Sequence, residues 1–293
     1  MRLLAFFSLL APIALAGPIG SVNQLVVFGD SLSDNGNAAI YAASMGIPFP
    51  VIANGPLWID QLAAKLSLPD PQPFLAGTGG TNYAVATGQT GSNGLSGVTD
   101  QLAFFAATHP GGAPATALYT FWAGSNDIFN GGNPVTAADN IYNNILSLAA
   151  GGAKYFMWLN LPDLGATPRA AAAGQTAAAN LASAAFNAEW AIDLAKLQGL
   201  GINVTPVNVE ALFAQILANP AMFGFTNVTS PGQGQPNPNN YLFWDDEHPT
   251  TAGHALVANL AFADLAVPEP ADAAFAAIGL LSLALWKLRR TKG

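Results

Sequence analysis

Two short stretches of this 293-residue chain hold the residue types that nucleophilic chemistry needs. Gly29-Asp30-Ser31-Leu32-Ser33-Asp34 follows the apolar run Gln24–Phe28, so a serine sits on a turn at the end of an expected strand. A serine hydroxyl is a weak nucleophile until a base takes its proton. Histidine occurs only at positions 109, 248 and 254. His248 closes Trp244-Asp245-Asp246-Glu247-His248-Pro249-Thr250, with Asp245 three residues before it. That spacing lets one local turn hold an imidazole against an orienting carboxylate, which fixes the tautomer and steadies the imidazolium formed during attack. His254 lacks such a carboxylate and reads as the start of a final helix, while His109 before Pro110 reads as a loop residue.

Taken singly, a Gly-Asp-Ser turn and a histidine after acidic residues are ordinary loop features. Two further stretches, Gly80-Thr81-Asn82-Tyr83-Ala84 and Gly124-Ser125-Asn126-Asp127, each fall on a loop beside an expected strand. Other polar and aromatic residues have plainer readings. Asp30 accepts hydrogen bonds in its turn, Asp127 braces its own block, Asp246 and Glu247 face solvent, and Trp58, Trp122 and Trp158 belong to the core.

The elements that must position these loops are legible as apolar runs. Strands are expected at 24–28, 117–122, 155–161 and 202–209, and helices at 58–66, 134–148, 175–200 and 210–218. The run 227–240, rich in Pro, Gly, Asn and Gln, reads as a loop. Strands alternating with helices imply βαβ units and a parallel sheet covered on both faces. In such sheets ligands bind at the carboxyl ends of the strands.

Composition narrows the function classes. Residues 17–266 carry four basic residues against fifteen acidic ones, a net charge of −11. Nucleic-acid binding needs a basic footprint, and anionic lipid repels such a body. There is no cysteine, which excludes disulfides, thiolate catalysis and zinc–thiolate sites. Neither a metal nor a cofactor is implied.

The four stretches, together with Asn160-Leu161-Pro162-Asp163-Leu164-Gly165, resemble in order the blocks of a GDSL-type lipase/esterase of the SGNH hydrolase superfamily, over Leu25 to about Leu265. The resemblance implies a three-layer α/β/α sandwich with a parallel sheet of about five strands in flavodoxin-like order. It implies a serine ester hydrolase with Ser31 as nucleophile, His248 as general base then acid, and Asp245 as the orienting carboxylate. The oxyanion hole would use the Ser31 N–H, the Asn126 side-chain amide and a second-block N–H. The family usually has two adjacent glycines after the block's asparagine, the second being the donor; here the chain reads Ala86-Thr87-Gly88, so the donor is Thr87, or Gly88 if the loop is one residue longer.

The two ends read as addresses. Residues 1–16 form a signal peptide: Arg2, an apolar run from Leu3 to Leu15, and Ala14-Leu15-Ala16 as the cleavage site. Residues 267–293 hold Pro268-Glu269-Pro270, an apolar stretch from Ala273 to Trp286, and the basic Lys287, Arg289, Arg290 and Lys292. This tail resembles the PEP-CTERM sorting signal of Gram-negative bacteria. It implies transient membrane insertion, an exosortase-type sorting partner and delivery at or beyond the outer surface. Residues 17–266 are then the hydrolase domain, acting on a small-molecule, lipid or carbohydrate ester. Two other readings stand beside an esterase: a carbohydrate O-acetylesterase or acyltransferase acting on exopolysaccharide, and a surface protein that keeps the fold but binds without catalysis.

Overall fold

A computed structural model describes residues 22–77 and 79–266. The expected signal peptide, 1–16, and the expected sorting tail, 267–293, lie outside the described residues. Four runs form one parallel sheet in the order β1-β2-β3-β4: β1 (Gln24–Gly29), β2 (Ala117–Trp122), β3 (Tyr155–Leu159) and β4 (Asn203–Val207). Strands buried on both faces need apolar side chains at consecutive positions. All six residues of β2 are buried, as are five of the six in β1.

The expected sheet of about five strands is therefore a sheet of four, and the difference lies at the β1 edge. Residues 81–85 run beside β1 in parallel and bond to it three times. Val27 N–H donates to Thr81 O at 3.0 Å, Tyr83 N–H to Val27 O at 2.8 Å and Val85 N–H to Gly29 O at 3.3 Å. The segment occupies the place of a strand without forming a regular ladder. With it included, the order along the sheet is the expected flavodoxin-like one.

Helices cover the sheet. On one face, α3 (Val98–Thr108), α5 (Pro134–Ala150) and α7 (Thr176–Gly199) enclose the main apolar cluster through Phe105, Ile141, Ile145, Phe186 and Leu197. On the other, α2 (Trp58–Leu66) sets Trp58 edge-on against Trp122, with ring centroids 5.8 Å apart. The side-chain alternation of β2 sends Trp122 to the opposite face from Phe121. Trp58, Trp122 and Trp158 are fully buried, as the sequence implied. Five further helices are α1 (Asn37–Ser44), α4 (Ser125–Phe129), α6 (Pro168–Ala172), α8 (Val209–Ala218) and α9 (Thr251–Ala266).

The run 227–240 departs from its expectation as a loop. Within it β5 (Asn227–Pro231) pairs in parallel with β6 (Tyr241–Phe243) as a separate two-stranded sheet. Its Asn and Pro content hides a strand of five residues with little burial. Among the described residues, no helix is long and apolar enough to cross a membrane.

Candidate active site

The site sits at the carboxyl ends of the four parallel strands. β1 ends at Gly29, where any Cβ would lie 2.5 Å from Trp122 O, so only glycine lets the two strand ends close together here. The chain then turns through Asp30 and Ser31. The turn is tied by Ser33 N–H and Asp34 N–H donating to Asp30 O, each at 3.0 Å. Below it, Gln101 on α3 grips Gly29 from both sides. Gln101 Oε1 accepts the Gly29 N–H at 3.0 Å and its Nε2 donates to Gly29 O at 2.7 Å.

The loop after β6 carries the other partner. Trp244 N–H donates to His248 O at 2.7 Å and closes a tight turn. Inside it, Asp245 Oδ1 accepts the backbone N–H groups of Glu247 at 3.0 Å and His248 at 2.7 Å. That leaves Oδ2 aimed at His248 Nδ1, 2.7 Å away. His248 Nε2 lies 2.7 Å from Ser31 Oγ. An ionised carboxylate only accepts, so Nδ1 carries the proton and Nε2 is free to take one from the serine hydroxyl. Burial disfavours the imidazolium, but the Asp245 carboxylate, aided by Glu247 and Asp30, leaves the His248 pKa above its ordinary value of 6.5. Burial also acts to raise the Asp245 carboxyl, yet its bonds to His248 and the loop amides hold it below its ordinary value.

Asn126 stands at the start of α4 (Ser125–Phe129), just after β2. The approach turns at Gly124, whose φ of 128° and contact with the Phe186 ring exclude a side chain. Asn126 shares the cleft with Ser31 and His248, and its amide donates to Gly88 O at 3.0 Å. Asp127 braces a different segment from its own expected block: Thr90 donates its backbone N–H and its hydroxyl to that carboxylate at 2.9 and 2.8 Å.

The second-block loop has most of its amides taken. Ala84 N–H donates to Asn82 Oδ1, Val85 N–H to Gly29 O, Ala86 N–H to Asp34 Oδ2 and Gly88 N–H to Val85 O. Thr87 lies between them, exposed, at φ 68°. It is one of two non-glycine residues with positive φ among the described residues, and a β-branched one. Neither Thr87 nor Gly88 lines the cleft itself.

Three residues with no role in the sequence reading shape the site. Asp34 gathers four backbone amides, those of Gly36, Asn37 and Ala38 at the start of α1 and that of Ala86, and so joins the first block to the second. Arg169 reaches the loop carrying His248 twice: its backbone N–H donates to Asp246 O at 2.8 Å and its guanidinium pairs with Glu247 while lying over the Phe129 ring. Gln101, described above, is the third. Asp34 stood inside a motif, but the other two have no local signal, because their partners lie about 70–80 residues away in sequence.

Glu247 corrects an expectation. Asp246 is exposed as read, but Glu247 turns inward, lines the cleft and brings Oε1 to 3.9 Å from His248 Nε2. Arg169 draws it there, and spacing alone cannot reveal that partner. Asp30 accepts the Leu32 N–H at 3.0 Å as expected, but its Oδ2 is buried without a hydrogen-bond partner, and burial pushes its pKa up to about 7. His254 lies near the start of α9 as expected, and it is buried there. Burial and the nearby His248 push its pKa down to about 3, which keeps it neutral.

The cleft over Ser31 is walled by Leu32, Phe129, Leu164, Phe213 and Phe243. Away from it, Asp139, Glu189 and Asp193 bring carboxylate oxygens within 4.8 Å of one another. Lys196 Nζ already bridges two of them, at 3.2 Å from Glu189 and 2.7 Å from Asp193, so the cluster contains its own cation.

Comparison with known proteins points one way. The family model described as GDSL-like lipase/acylhydrolase matches residues 25–261. The chain is 31% identical to esterase EstA of Pseudomonas aeruginosa, over 86% of this chain and 44% of that protein. It is 27% identical to thermolabile hemolysin of Vibrio parahaemolyticus, over 81% of this chain and 62% of that protein. The chain thus spans about half the length of these curated relatives. A solved structure of a lipolytic G-D-S-L family member from Veillonella parvula covers 83% of this chain and 97% of its own, at 14% identity and a TM-score of 0.49.

Proposed function

Because this chain belongs to the GDSL-like lipase/acylhydrolase family, we propose that it is a carboxylic-ester hydrolase in which Ser31 forms an acyl-enzyme. The observation that carries the reading is the unbroken chain from Ser31 Oγ through both His248 nitrogens to Asp245, with 2.7 Å at each contact. His248 Nε2 takes the Ser31 proton as Oγ attacks the ester carbonyl. The imidazolium returns that proton to the departing alkoxide, and the alcohol leaves. Water then attacks the acyl-enzyme, gives its proton to His248, and the serine is regenerated with release of a carboxylic acid.

The tetrahedral oxyanion is met by the Ser31 N–H and the Asn126 amide, and the second-block donor is the Thr87 N–H, which reaches it by a movement toward the cleft that Thr87 does not itself line. Thr87 is preferred over Gly88 because the Gly88 N–H already donates to Val85 O, while the αL turn at Thr87 frees its own. Preorganised donors of this kind are each worth about 3–4 kcal/mol to the transition state. Asn126→Ala therefore lowers kcat by about 10²–10³-fold, measured on a short-chain nitrophenyl ester.

A fluorophosphonate probe tests the nucleophile. Wild type is labelled and Ser31→Ala is not; labelling that persists in the variant overturns the assignment. Nitrophenyl esters set against acetylated polysaccharide distinguish a general esterase from a carbohydrate O-acetylesterase. The reading extends to location: residues 1–16 direct export, and residues 267–293 are engaged by an exosortase-type enzyme at the membrane. Mass measurement of the protein from the producing cell tests this, since an intact chain of 30.0 kDa contradicts both steps.

A further inference from the structure

Between Asp34 and Asp60 the chain carries no charged residue. Within that stretch, α1 and the loop after it expose Ile40, Tyr41, Met45, Ile47 and Val51 at 36–63%. These are five of the twelve large apolar side chains exposed among the described residues, and they fall within twelve consecutive positions. Isolated exposed apolar residues are ordinary, but a charge-free group of them marks an interaction surface.

The segment is held in place. Ile47 N–H and Met45 N–H both donate to Ala42 O, folding the loop back on the end of α1. At its near end, Asp34 binds the first amides of α1, three residues after Ser31. At its far end, Val51 O accepts Trp244 Nε1–H at 2.7 Å and Asn54 Oδ1 accepts Thr251 N–H at 2.8 Å. Trp244 is the residue whose backbone closes the His248 turn. One end of the patch is thus tied to the loop carrying Ser31 and the other to the loop carrying His248.

We propose that residues 40–51 dock the protein on the surface of aggregated lipid esters without net charge, and so present that surface to the cleft. Two observations choose this occupant. A charge-free patch on a body of net charge −11 suits an uncharged or zwitterionic surface and disfavours an anionic one. The tethers join the patch directly to the loops carrying Ser31 and His248, the connection that a surface made of substrate requires. The proposal names the substrate class of the hydrolase reading and rests on it for that, but docking itself is measurable without catalysis.

The absence of native cysteine permits a site-specific test in the full-length Ser31→Ala protein. Met45→Cys on the patch and Leu181→Cys on α7 are each labelled with an environment-sensitive fluorophore and mixed with phosphatidylcholine vesicles. Emission at position 45 brightens and shifts blue while position 181 does not change, and phosphatidylserine in the vesicles weakens the response. A shift at both positions, or at neither, overturns the proposal. So does a shift at 45 that grows with protein concentration alone, since a second copy then covers the patch. A label at 45 already shielded from iodide in the dilute, vesicle-free protein also overturns it, since another segment of this chain then does.

In the active protein, hydrolysis of tributyrin rises as the ester passes its solubility limit. Ile47→Asp reduces that rise roughly tenfold, equivalent to about 1.4 kcal/mol, and leaves the rate on dissolved ester unchanged. Equal loss on both forms overturns docking. A wild type that cleaves neither form overturns the hydrolase reading instead, and the vesicle result then judges docking by itself.

Discussion

In the proposed mechanism His248 takes a proton only when neutral, and against the effect of burial its pKa lies above 6.5 because carboxylates face both of its nitrogens. The acid limb of kcat/KM therefore lies above pH 6.5. Glu247→Gln removes one carboxylate that stabilises the imidazolium, so the limb moves to lower pH while the plateau is largely kept; a pH–rate profile with an unmoved limb contradicts this. Asp30 acts on stability. Its folded pKa of about 7 exceeds its ordinary 3.8, so the native state keeps a proton that the unfolded chain has lost. The resulting stabilisation is complete below pH 3.8 and disappears as pH rises through 7. Asp30→Asn removes this dependence, so the Tm of wild type falls relative to the variant between about pH 4 and pH 7. Thr87 gives a third case. Its φ of 68° costs about 1–2 kcal/mol for an L residue with a Cβ, against about 0.5–1 kcal/mol for the extra freedom of an unfolded glycine. Thr87→Gly thus raises stability by up to about 1 kcal/mol in urea denaturation and leaves probe labelling intact, because the backbone N–H remains.

The elements were legible in proportion to how local their causes are. β2 and α2 run over the residues the apolar pattern indicated, 117–122 and 58–66, because buried parallel strands and amphipathic helices are written in consecutive side chains. The Asp245–His248 pairing was legible for the same reason, since one turn contains it. The 81–85 segment was not, because three hydrogen bonds to β1 define it, while Thr-Asn-Tyr-Ala-Val is neither an alternating nor a continuous apolar run. β5 was hidden by its Asn and Pro content, and Arg169 and Gln101 by partners far away in sequence. Gln101 carries a prediction at this scale. It satisfies both backbone groups of Gly29 inside the protein, and a buried unpaired donor costs about 1–3 kcal/mol. Gln101→Ala lowers stability by about 2–4 kcal/mol, counting the cavity, and slows labelling of Ser31 because the turn after Gly29 loses its support. An unchanged Tm means that water replaces the amide.

At the scale of the whole molecule, the chain's low count of charged residues is strongly one-sided, four basic against fifteen acidic in residues 17–266. Self-repulsion of that kind is screened by salt, so raising NaCl from about 10 to about 300 mM raises Tm by ~2–4 °C; a flat or falling Tm shows that the ion pairs outweigh the repulsion. The sheet that carries the site has two outer strands, and unpaired strand edges recruit other chains. β4 meets this with Pro206, which has no N–H to offer a neighbour. At the β1 edge the amides and carbonyls are capped by 81–85, the segment that leads into Thr87. One stretch of chain therefore guards the molecule against edge-to-edge aggregation and also leads into the proposed oxyanion donor. Loosening that stretch to move the donor would uncover a six-residue template for fibril growth, so solubility limits how far this part of the site can be remodelled.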